Sequence, residues 1–473
     1  MDSHTLERMK QSFNPKHIAV VGASTRNAWF KHIALYCNRV GFKGGIYPVN
    51  PNHSEICGIK TCKSIAKLPF DIDFGVVIVN HKVALNAVKN LNKRGIKNIV
   101  LISSGYAETG REGRAEQGLL QKYCKENDIF LIGPNCIGFI NPDKKTSVFA
   151  GRAVEEKIIP GKIGVIGQSG AGSELTANAL LGKSLGISLY VSTGNEAVLT
   201  IEDFMEYLIL DNTTEVITGF VEGFRDIPRL RKLALMAAKR KIPLIFIKVG
   251  RSKEGVRVAG SHTGALTGND MVIDGFFKQF GIIRVDTIEE LVDTAGIFTH
   301  CPIPKGDGLG IYTISGGMCG IFADLCSKYK IKLPSLASET VTKLKSILPE
   351  FAIPDNPLDI TGAGPQTKID EAIEIFIRDK NIDIISPLCI PPKDSNDTFA
   401  NNINKLFIDN HTRAVKPMVP NTFTEMNDYA RNYFKENNVY YIEQPEEKFK
   451  AISHLITYGK FLRRLNNQQT ERG

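Results

Sequence analysis

The sequence contains no apolar run of about 18 residues, and its N-terminus lacks the apolar stretch of a signal peptide. It has a single Trp, and its Lys and Arg residues are spread along the chain rather than gathered in one basic block. Nucleic-acid-binding proteins more typically carry a concentrated basic stripe with aromatic residues. We therefore expect a cytoplasmic protein that binds neither membranes nor nucleic acids.

The nine cysteines show no close-pair metal-binding pattern, because the nearest two, Cys57 and Cys62, are separated by four residues. Four others lie in apolar contexts: Cys136, Cys319, Cys326 and Cys389. An odd number of cysteines with many in such contexts predicts reduced, buried thiols in a cytosolic protein. We expect no metal site.

With 473 residues, the chain is too long for one ordinary hydrophobic core, so two to four domains are expected. Hydrophobic residues make up 42% and charged residues 23%, which is typical of a globular protein. The net charge of +9 suits polyanionic small molecules such as phosphorylated cofactors.

The N-terminal part alternates short β-rich runs with helical segments such as 82–94 and 112–126. The runs are 17–22, 45–51, 74–79, 99–102 and 129–132. This alternation predicts a parallel sheet covered on both faces, with ligands at the carboxyl ends of the strands. An NAD site is disfavoured, because Gly22 does not open a G-x-G-x-x-G motif and Asn50-Pro51-Asn52 replaces the usual acidic residue. A nucleotide-like ligand other than NAD stays compatible with this part of the sequence.

Residues 142–162 are charged and interrupted by Pro and Gly, which predicts a connector. A second α/β unit begins with a strand at 162–167, followed by Gln168-Ser169-Gly170 and a helix from about Ser173. A strand, small loop and helix in succession form either an anion site or merely a tight turn whose glycines serve packing. Further strands are predicted at 187–192, 215–221, 243–248 and 281–285.

A third α/β unit follows a boundary at 300–306. It has a strand at 309–314, a helix near 338–348, a strand near 382–388 and a helical end to about 465, and we expect 466–473 to form a frayed tail. The predicted fold class is thus α/β, with three consecutive parallel-sheet domains at 1–142, 160–300 and 306–465.

The loop 260–268 joins three glycines and three hydroxyl residues to one histidine, His262. Glycine allows close approach of a ligand, and a neutral imidazole has a nitrogen lone pair available. His262 is therefore a candidate nucleophile towards a phosphoryl group. The alternative is a loop histidine that only bonds its neighbours.

Five segments, in order, resemble those of the NDP-forming acyl-CoA synthetases, relatives of succinyl-CoA synthetase, and specifically of their α subunit. They are Tyr47-Pro48-Val49-Asn50-Pro51, Gly133-Pro134-Asn135-Cys136-Ile137-Gly138, Gln168-Ser169-Gly170, the stretch from Ser261 to Gly268, and Asn356-Pro357-Leu358-Asp359. The resemblance extends over nearly the whole chain. It implies a Rossmann-like CoA-binding domain followed by two flavodoxin-like domains.

The resemblance also implies the chemistry. Acyl-CoA, NDP and phosphate would be interconverted with carboxylic acid, CoA and NTP through an acyl phosphate and phosphorylated His262, with Glu222 holding the imidazole. The implied phosphate-binding residues are Ser169, Gly170, Ser261, Thr263 and Gly264. The implied coenzyme A contacts are Gly22, Ala23, Ser24, Asn50, Pro51, Val79, Asn135 and Cys136.

Two departures from the family pattern bear on this interpretation. Trp29 stands near a turn that is often Pro-Gly-Lys-x-Gly in the family, and its bulk favours core packing over ligand contact. No segment resembles an ATP-grasp domain, so a separate ATP-grasp β subunit is expected to bind the Mg-nucleotide in a hetero-oligomer.

The alternative function is a catalytically inactive CoA- or acyl-CoA-binding regulatory or scaffold protein of the same fold. An NAD(P)-dependent oxidoreductase is disfavoured by the missing motif. The identity of the acid, the choice between ADP and GDP and the physiological direction stay open.

Overall fold

The computed structural model describes residues 1–26, 28–152, 157–257, 270–360, 366–413, 416–422 and 425–470. The chain divides into two compact units, Met1–Leu291 and Val292–Gly473. The first unit covers the first predicted domain and the second one as far as Leu291, and the individual limits 1–142, 160–300 and 306–465 stay predictions. Among the described residues, no helix is long and apolar enough to cross a bilayer.

The first sheet of the first unit is parallel and has the order β2-β1-β5-β6-β7. Its strands are β1 (His17–Val21), β2 (Gly45–Val49), β5 (Phe74–Val77), β6 (Asn98–Leu101) and β7 (Phe130–Ile132). Helices α1 (Ser3–Ser12), α2 (Trp29–Arg39), α3 (His81–Lys93) and α4 (Arg111–Glu126) accompany it, and β3 (Glu55–Ile56) pairs with β4 (Ile59–Lys60) in a small ribbon. Central strands such as β5 are buried throughout, as expected for Val- and Ile-rich strands of a parallel sheet. Pro48 is tolerated because β2 lies at the edge.

The second sheet has the order β14-β13-β12-β10-β11-β8-β9. Its parallel strands are β10 (Pro160–Gly167), β11 (Ile187–Ser192), β12 (Val216–Val221), β13 (Leu244–Lys248) and β14 (Ile283–Val285). The accompanying helices are α5 (Gly170–Gly182), α6 (Ile201–Leu210), α7 (Ile227–Lys239) and α8 (Asp270–Phe280). Helix α9 (Ile288–His300) begins in the first unit and continues into the second. Helix α6 begins with a capping box between Thr200 and Asp203, which satisfies its first amides.

Two antiparallel strands complete the second sheet: β8 (Gly138–Asn141) and β9 (Thr146–Phe149). The expectation that 142–162 forms only a connector is therefore wrong. The four residues of β9 are buried, because they pair with β8 and continue the sheet after the charged turn at 142–145. Pro142 begins the turn between β8 and β9, whereas Pro160 and Gly161 are the first residues of β10.

One hydrophobic core spans both sheets of the first unit. The ring of Phe139, on β8, lies 5.1 Å from that of Phe13 after α1 and 5.6 Å from that of Phe74 on β5, both edge to face. Phe139 is fully buried. A strand of the second sheet thus packs its side chain into the core of the first.

The second unit has a parallel sheet of the order β16-β15-β17 in its described part. The strands are β15 (Leu309–Thr313), β16 (Leu358–Asp359) and β17 (Ile384–Ser386). The helices are α10 (Gly316–Lys328), α11 (Ser338–Ile347), α12 (Gln366–Ile377), α13 (Thr398–Thr412), α14 (Asp428–Glu436) and α15 (Pro445–Thr470). The two predicted strands and the predicted helices are confirmed. The expectation of a frayed tail is wrong as far as Thr470, because α15 continues to that residue.

Asn356 gives the segment Asn356-Pro357-Leu358-Asp359, which contains β16, a structural role. Its Nδ2 donates to Leu309 O at 2.8 Å and Pro334 O at 3.1 Å, and its Oδ1 accepts from the amide of Ile311 at 3.0 Å. This buried amide group therefore satisfies backbone groups of β15 and of the segment after α10.

The α/β fold class is confirmed, and most strands begin or end within one or two residues of their predicted limits. All nine cysteines are free, and Cys136, Cys326 and Cys389 are buried as predicted, whereas Cys319 is partly buried.

Replacing Phe139 by Ala tests the junction between the two sheets. We expect Phe139→Ala to lower the free energy of unfolding by about 3–5 kcal/mol, because it removes a fully buried ring that contacts both sheets. The measurement is urea unfolding followed by tryptophan fluorescence and circular dichroism. Phe70→Ala is the control, since Phe70 is 96% exposed and its removal should cost at most about 1 kcal/mol. Equal losses for the two variants would contradict the assigned role of Phe139.

Candidate functional site

The carboxyl ends of the two sheets of the first unit meet at the turn between β7 and β8. The amide of Asn195 donates to Pro134 O at 2.8 Å, and that of Ala197 donates to Gly133 O at 3.0 Å. A Cβ atom on Gly194 would overlap the carbonyl oxygen of Pro134, so this approach requires glycine. The loop after β11 is thereby tied to the loop after β7.

Most of the predicted coenzyme A contacts lie at the carboxyl edge of the first sheet. Gly22, Asn50 and Val79 follow β1, β2 and β5, which are neighbours in the sheet. The Asn50 side chain donates to Ala23 O at 2.7 Å, and a Cβ on Gly22 would lie 2.6 Å from Val79 Cγ1. The structure thus brings together six of the predicted residues: Gly22, Ala23, Ser24, Asn50, Pro51 and Val79.

Asn135 and Cys136 lie in the turn after β7 and differ in their surroundings. Asn135 has a φ of 57° and donates from Nδ2 to Asn195 Oδ1 at 3.2 Å. The Cys136 thiol is buried and directed at Leu101 O, 3.5 Å away, and burial raises its pKa to about 12. Cys136 is therefore a neutral packing thiol, and its contribution to a ligand site is one of shape rather than of nucleophilicity.

A cavity of about 370 Å³ lies where the two carboxyl edges face each other. Five of the predicted site residues line it: Asn135, Cys136, Ser169, Gly170 and Glu222. They follow β7, β10 and β12, so residues far apart in sequence converge because parallel strands end at the same edge. The remaining predicted coenzyme A contacts lie outside the cavity lining.

Ser169 caps helix α5 on the wall of this cavity. Its Oγ accepts from the amide of Gly172 at 3.2 Å, and its carbonyl oxygen accepts from the amide of Ser173 at 3.1 Å. Within the described part of the chain, the amides of Gly170 and Ala171 have no acceptor. The positive end of a helix of 13 residues thus faces the cavity, an arrangement suited to an anion.

Gln168 connects three of the loops that surround the cavity. Its Oε1 accepts from the amides of Glu222 at 2.7 Å and Gly223 at 3.0 Å. Its Nε2 donates to Gly223 O at 2.8 Å and to Glu196 Oε1 at 3.0 Å. The backbone position of Glu222 therefore depends on a side chain to which the motif alone assigns no role.

Glu196 is a buried carboxylate at the centre of this network. Its Oε1 accepts from Gln168, from Thr193 Oγ1 at 3.0 Å and from the amide of Ile201 at 3.0 Å, and its Oε2 accepts from Arg225 Nε at 3.0 Å. Burial raises the pKa of Glu196 to about 7, although the Arg225 guanidinium acts in the opposite direction.

Arg225 reaches the cavity wall from the loop after β12. Its Nη2 donates to Asn195 O at 2.7 Å, and its own amide donates to Glu202 Oε1 at 2.8 Å. Its side chain is half exposed, and it lines the cavity together with Glu222.

Gln168, Asn195, Glu196 and Arg225 were not identified from the sequence as functional residues. The one feature of the sequence that could have indicated them is their position, because each lies within four residues of the end of a predicted strand. That position alone does not distinguish a side chain that faces the cavity from one in solvent.

Trp29 lines the cavity and is 36% exposed, so the expectation of core packing is wrong. The reason is its place in the fold. Trp29 is the first residue of α2, directly after the loop that follows β1. It therefore lies at the carboxyl edge of the first sheet, where its side chain faces the cavity rather than the core.

The predicted nucleophile His262, together with Ser261, Thr263 and Gly264, lies outside the described residues. On the C-terminal side of this segment, Asp270 begins α8 and forms an ion pair with Arg284. Near its N-terminal side, the buried Lys248 ends β13 and donates to Val249 O at 2.7 Å, and burial lowers the pKa of its amine.

Family models match two parts of the chain. The model described as a CoA binding domain matches residues 16–142. The model described as a succinyl-CoA ligase like flavodoxin domain matches residues 160–298.

Individual relatives match nearly the whole chain. The alpha subunit of acetate–CoA ligase (ADP-forming) II of Pyrococcus furiosus is 31% identical over 456 residues, covering 95% of this chain and 97% of that subunit. The acetate–CoA ligase (ADP-forming) of Methanocaldococcus jannaschii is 33% identical over 453 residues, covering 94% of this chain but 62% of that protein. The match thus covers nearly the full length of the Pyrococcus furiosus subunit and less than two thirds of the Methanocaldococcus jannaschii protein.

A solved structure shares the fold at full length. Acetyl-coenzyme A synthetase 1 of Ca. Korarchaeum cryptofilum, solved with phosphate and ADP, gives a TM-score of 0.85 at 27% identity, covering 97% of this chain and 98% of that one.

The raised pKa of Glu196 predicts a pH dependence of stability that Glu196→Gln removes. The folded protein keeps the Glu196 proton up to about pH 7, whereas the unfolded chain releases it near the ordinary value of 4.5. Because the folded state then binds more protons, the stability of the wild type relative to Glu196→Gln falls as pH rises through this window and levels off above it. Melting temperatures of both proteins between about pH 5 and pH 8 measure the effect. A difference in melting temperature that is constant across this range would contradict the burial of a titrating carboxyl.

The match to an entire α subunit, the two family models and the shared fold agree with the five sequence segments. The chain therefore belongs to the NDP-forming acyl-CoA synthetases, a family of acid–thiol ligases, and corresponds to their α subunit.

Proposed function

We propose that this chain interconverts acyl-CoA, phosphate and NDP with a carboxylic acid, CoA and NTP, through an acyl phosphate and phosphorylated His262. One observation carries the proposal: the start of helix α5 and the Glu222 loop share a cavity with the carboxyl end of β7. This arrangement supports the proposal, because a helix start suited to an anion and the Glu222 carboxylate then lie beside the edge of a domain matched by a CoA-binding model.

Coenzyme A lies along the carboxyl edge of the first sheet in this proposal. Gly22, Asn50 and Val79 provide small side chains and backbone groups there, and the Asn50 side chain is already held by Ala23 O. The thiol of coenzyme A enters the cavity beside Asn135. The buried Cys136 takes no part in the chemistry, since its pKa is about 12.

The phosphoryl group binds at the start of α5. The amides of Gly170 and Ala171 donate to its oxygens, and Ser169, whose Oγ accepts from Gly172, holds the first turn in shape. Ser261, Thr263 and Gly264 supply further donors from the loop that carries His262.

The reaction proceeds in balanced steps. A phosphate oxygen attacks the thioester carbonyl of acyl-CoA, so that a C–O bond forms, the C–S bond breaks and the CoA thiolate leaves with a proton. His262 then attacks phosphorus, so that an N–P bond forms, the P–O bond to the acyl oxygen breaks and the carboxylate leaves. Glu222 accepts a hydrogen bond from the other imidazole nitrogen, which selects the reactive tautomer and stabilises the positive ring. Transfer of the phosphoryl group to NDP regenerates His262.

A separate subunit completes the enzyme in this proposal. The related protein of Pyrococcus furiosus is named as an alpha subunit, and the single-chain relative extends beyond the region matched here. We place the Mg-nucleotide on an ATP-grasp β subunit in a hetero-oligomer, to which the His262 loop carries its phosphoryl group. The nine free thiols fit a reducing compartment such as the cytoplasm.

Labelling of the isolated chain tests the phosphohistidine. Incubated with radiolabelled inorganic phosphate and acetyl-CoA, a branched acyl-CoA or an aryl-CoA, the chain is expected to take up acid-labile, base-stable label with at least one of them. His262→Asn should abolish the label, whereas His4→Asn should retain it, because His4 lies exposed in α1. Phosphopeptide mapping locates the modified residue.

The same experiment separates the proposal from an inactive CoA-binding regulator. A regulator would show a CoA-dependent rise in melting temperature but no label with any acyl-CoA, even after addition of a β subunit and ATP. That outcome would overturn the ligase mechanism and favour the regulatory alternative.

Glu222→Gln tests the partner of the imidazole. We expect the rate of label uptake to fall on the order of 10²-fold, because the amide cannot stabilise a positively charged ring. Glu215→Gln is the matched control, since Glu215 lies at the opposite end of the same strand and pairs with Lys162 on the surface. Equal rates for both variants, measured by rapid quench, would exclude Glu222 from the mechanism.

A further inference from the structure

The cavity contains an unusual balance of charge for a site that receives phosphate. Within the described cavity lining, Arg225 is the only cation and Glu222 the only carboxylate. A phosphate dianion beside Glu222 is repelled unless a positive charge lies close to it. The positive end of α5 supplies part of that charge, and Arg225 is the only full positive charge available on these walls.

The Arg225 guanidinium is fixed on one side and open on the other. Its Nε donates to Glu196 Oε2 at 3.0 Å and its Nη2 donates to Asn195 O at 2.7 Å. Among the described residues, Nη1 has no acceptor. Because the guanidinium is planar, holding these two nitrogens determines the direction of the third.

The anchor of Arg225 is itself rigid. The side chain of Glu196 is fully buried, and its Oε1 accepts three hydrogen bonds, from Gln168, Thr193 and the amide of Ile201. Glu196 adopts a φ of 57°, a conformation that is uncommon for residues other than glycine. The backbone of Arg225 is held in turn by Glu202.

We infer that Arg225 binds a phosphoryl oxygen of phosphate and of the acyl phosphate through its Nη1 edge, and that Glu196 is the positioning residue that directs it. This inference rests on the proposed function, because it names a further residue for the same phosphoryl site. It adds a charged contact to the backbone amides of α5, in a cavity that Glu222 also lines.

A purely structural role for Arg225 is the competing interpretation. In that case the guanidinium serves only to neutralise the buried Glu196, and phosphate binding does not depend on it. The two roles predict different phosphate binding when both charges are removed together. Two glutamine side chains at these positions can still form a neutral hydrogen bond in place of the ion pair. A structural role would then be restored, whereas a binding role would stay lost.

The test therefore compares Arg225→Gln, Arg225→Lys and the double variant Glu196→Gln/Arg225→Gln with the wild-type chain. The readouts are the half-saturation concentrations for inorganic phosphate and for acyl-CoA in the labelling reaction. We expect Arg225→Gln and the double variant to raise the value for phosphate about 10- to 100-fold and to leave that for acyl-CoA unchanged, as for the loss of one charge-assisted hydrogen bond. Arg225→Lys should be intermediate, because lysine keeps the charge but not the planar geometry.

Lys232→Gln is the matched control for charge. Lys232 is exposed on α7, outside the cavity lining, and its replacement removes one positive charge as Arg225→Gln does. We expect wild-type half-saturation values for this variant. An increase equal to that of Arg225→Gln would show a general effect of net charge and would overturn the inference.

The double variant decides between the two roles. If it folds with a wild-type melting temperature and also regains the wild-type half-saturation for phosphate, Arg225 is structural only and the inference is overturned. If its melting temperature recovers while phosphate half-saturation stays high, the binding role is supported.

A direct binding measurement separates this inference from the proposed function. Inorganic phosphate should raise the melting temperature of the wild-type chain, and the rise should be smaller in Arg225→Gln and in the double variant. If the wild type takes up no label but this difference persists, the ligase mechanism fails and the assignment of Arg225 stands. If phosphate gives the same shift, or no shift, in all of these proteins, the assignment of Arg225 is overturned whatever the labelling shows.

Discussion

The hydrogen bonds between the loops after β7 and β11 bring the carboxyl edges of two parallel sheets together. Each sheet ends in loops rich in small and polar residues, and neither edge forms a closed site by itself. After β7, the last strand of the first sheet, the chain continues into β8, which pairs antiparallel with β11 of the second sheet. Phe139 anchors β8 in the core that the two sheets share. The cavity exists because this junction leaves the two edges facing each other.

The polar network around Glu196 gives the cavity walls their geometry. One buried carboxylate accepts hydrogen bonds from Gln168 and Arg225, and Gln168 in turn holds the backbone of Glu222. Loops after β10, β11 and β12 are thus coupled through Glu196 and Gln168, whose side-chain polar atoms all form hydrogen bonds, and this is the condition under which a buried polar group rigidifies a site. The Gln168 side chain, next to the helix start at Ser169, consequently holds the backbone of Glu222 and Gly223 beside it.

Much of the fold could be predicted from the sequence, because β-rich and helical segments alternate along the chain and each type has a recognisable pattern of apolar residues. The runs that became β1, β5, β10 and β12 were identified close to their observed limits, since they are buried on both faces and read as continuous apolar stretches. Strands β8 and β9 were missed for a physical reason. They are antiparallel additions at the end of the sheet, separated by Pro142 and charged residues. Strand β9 pairs with β8, and β8 pairs with β11, in which Tyr190, the partner of Ile140, lies about fifty positions further along the chain.

The residues of the candidate site likewise fall into those that the sequence indicates and those that only the tertiary structure reveals. The sequence by itself determined the strand ends, the succession of strand, small loop and helix around Ser169, and the segments shared with the acyl-CoA synthetases, because these depend on local composition and order. Only the tertiary structure decided that Glu196 is buried, that Arg225 turns towards the cavity and that Trp29 faces ligand space rather than the core. Burial and direction depend on which loops meet across the junction of the two sheets, and that contact is made by residues more than fifty positions apart in the chain.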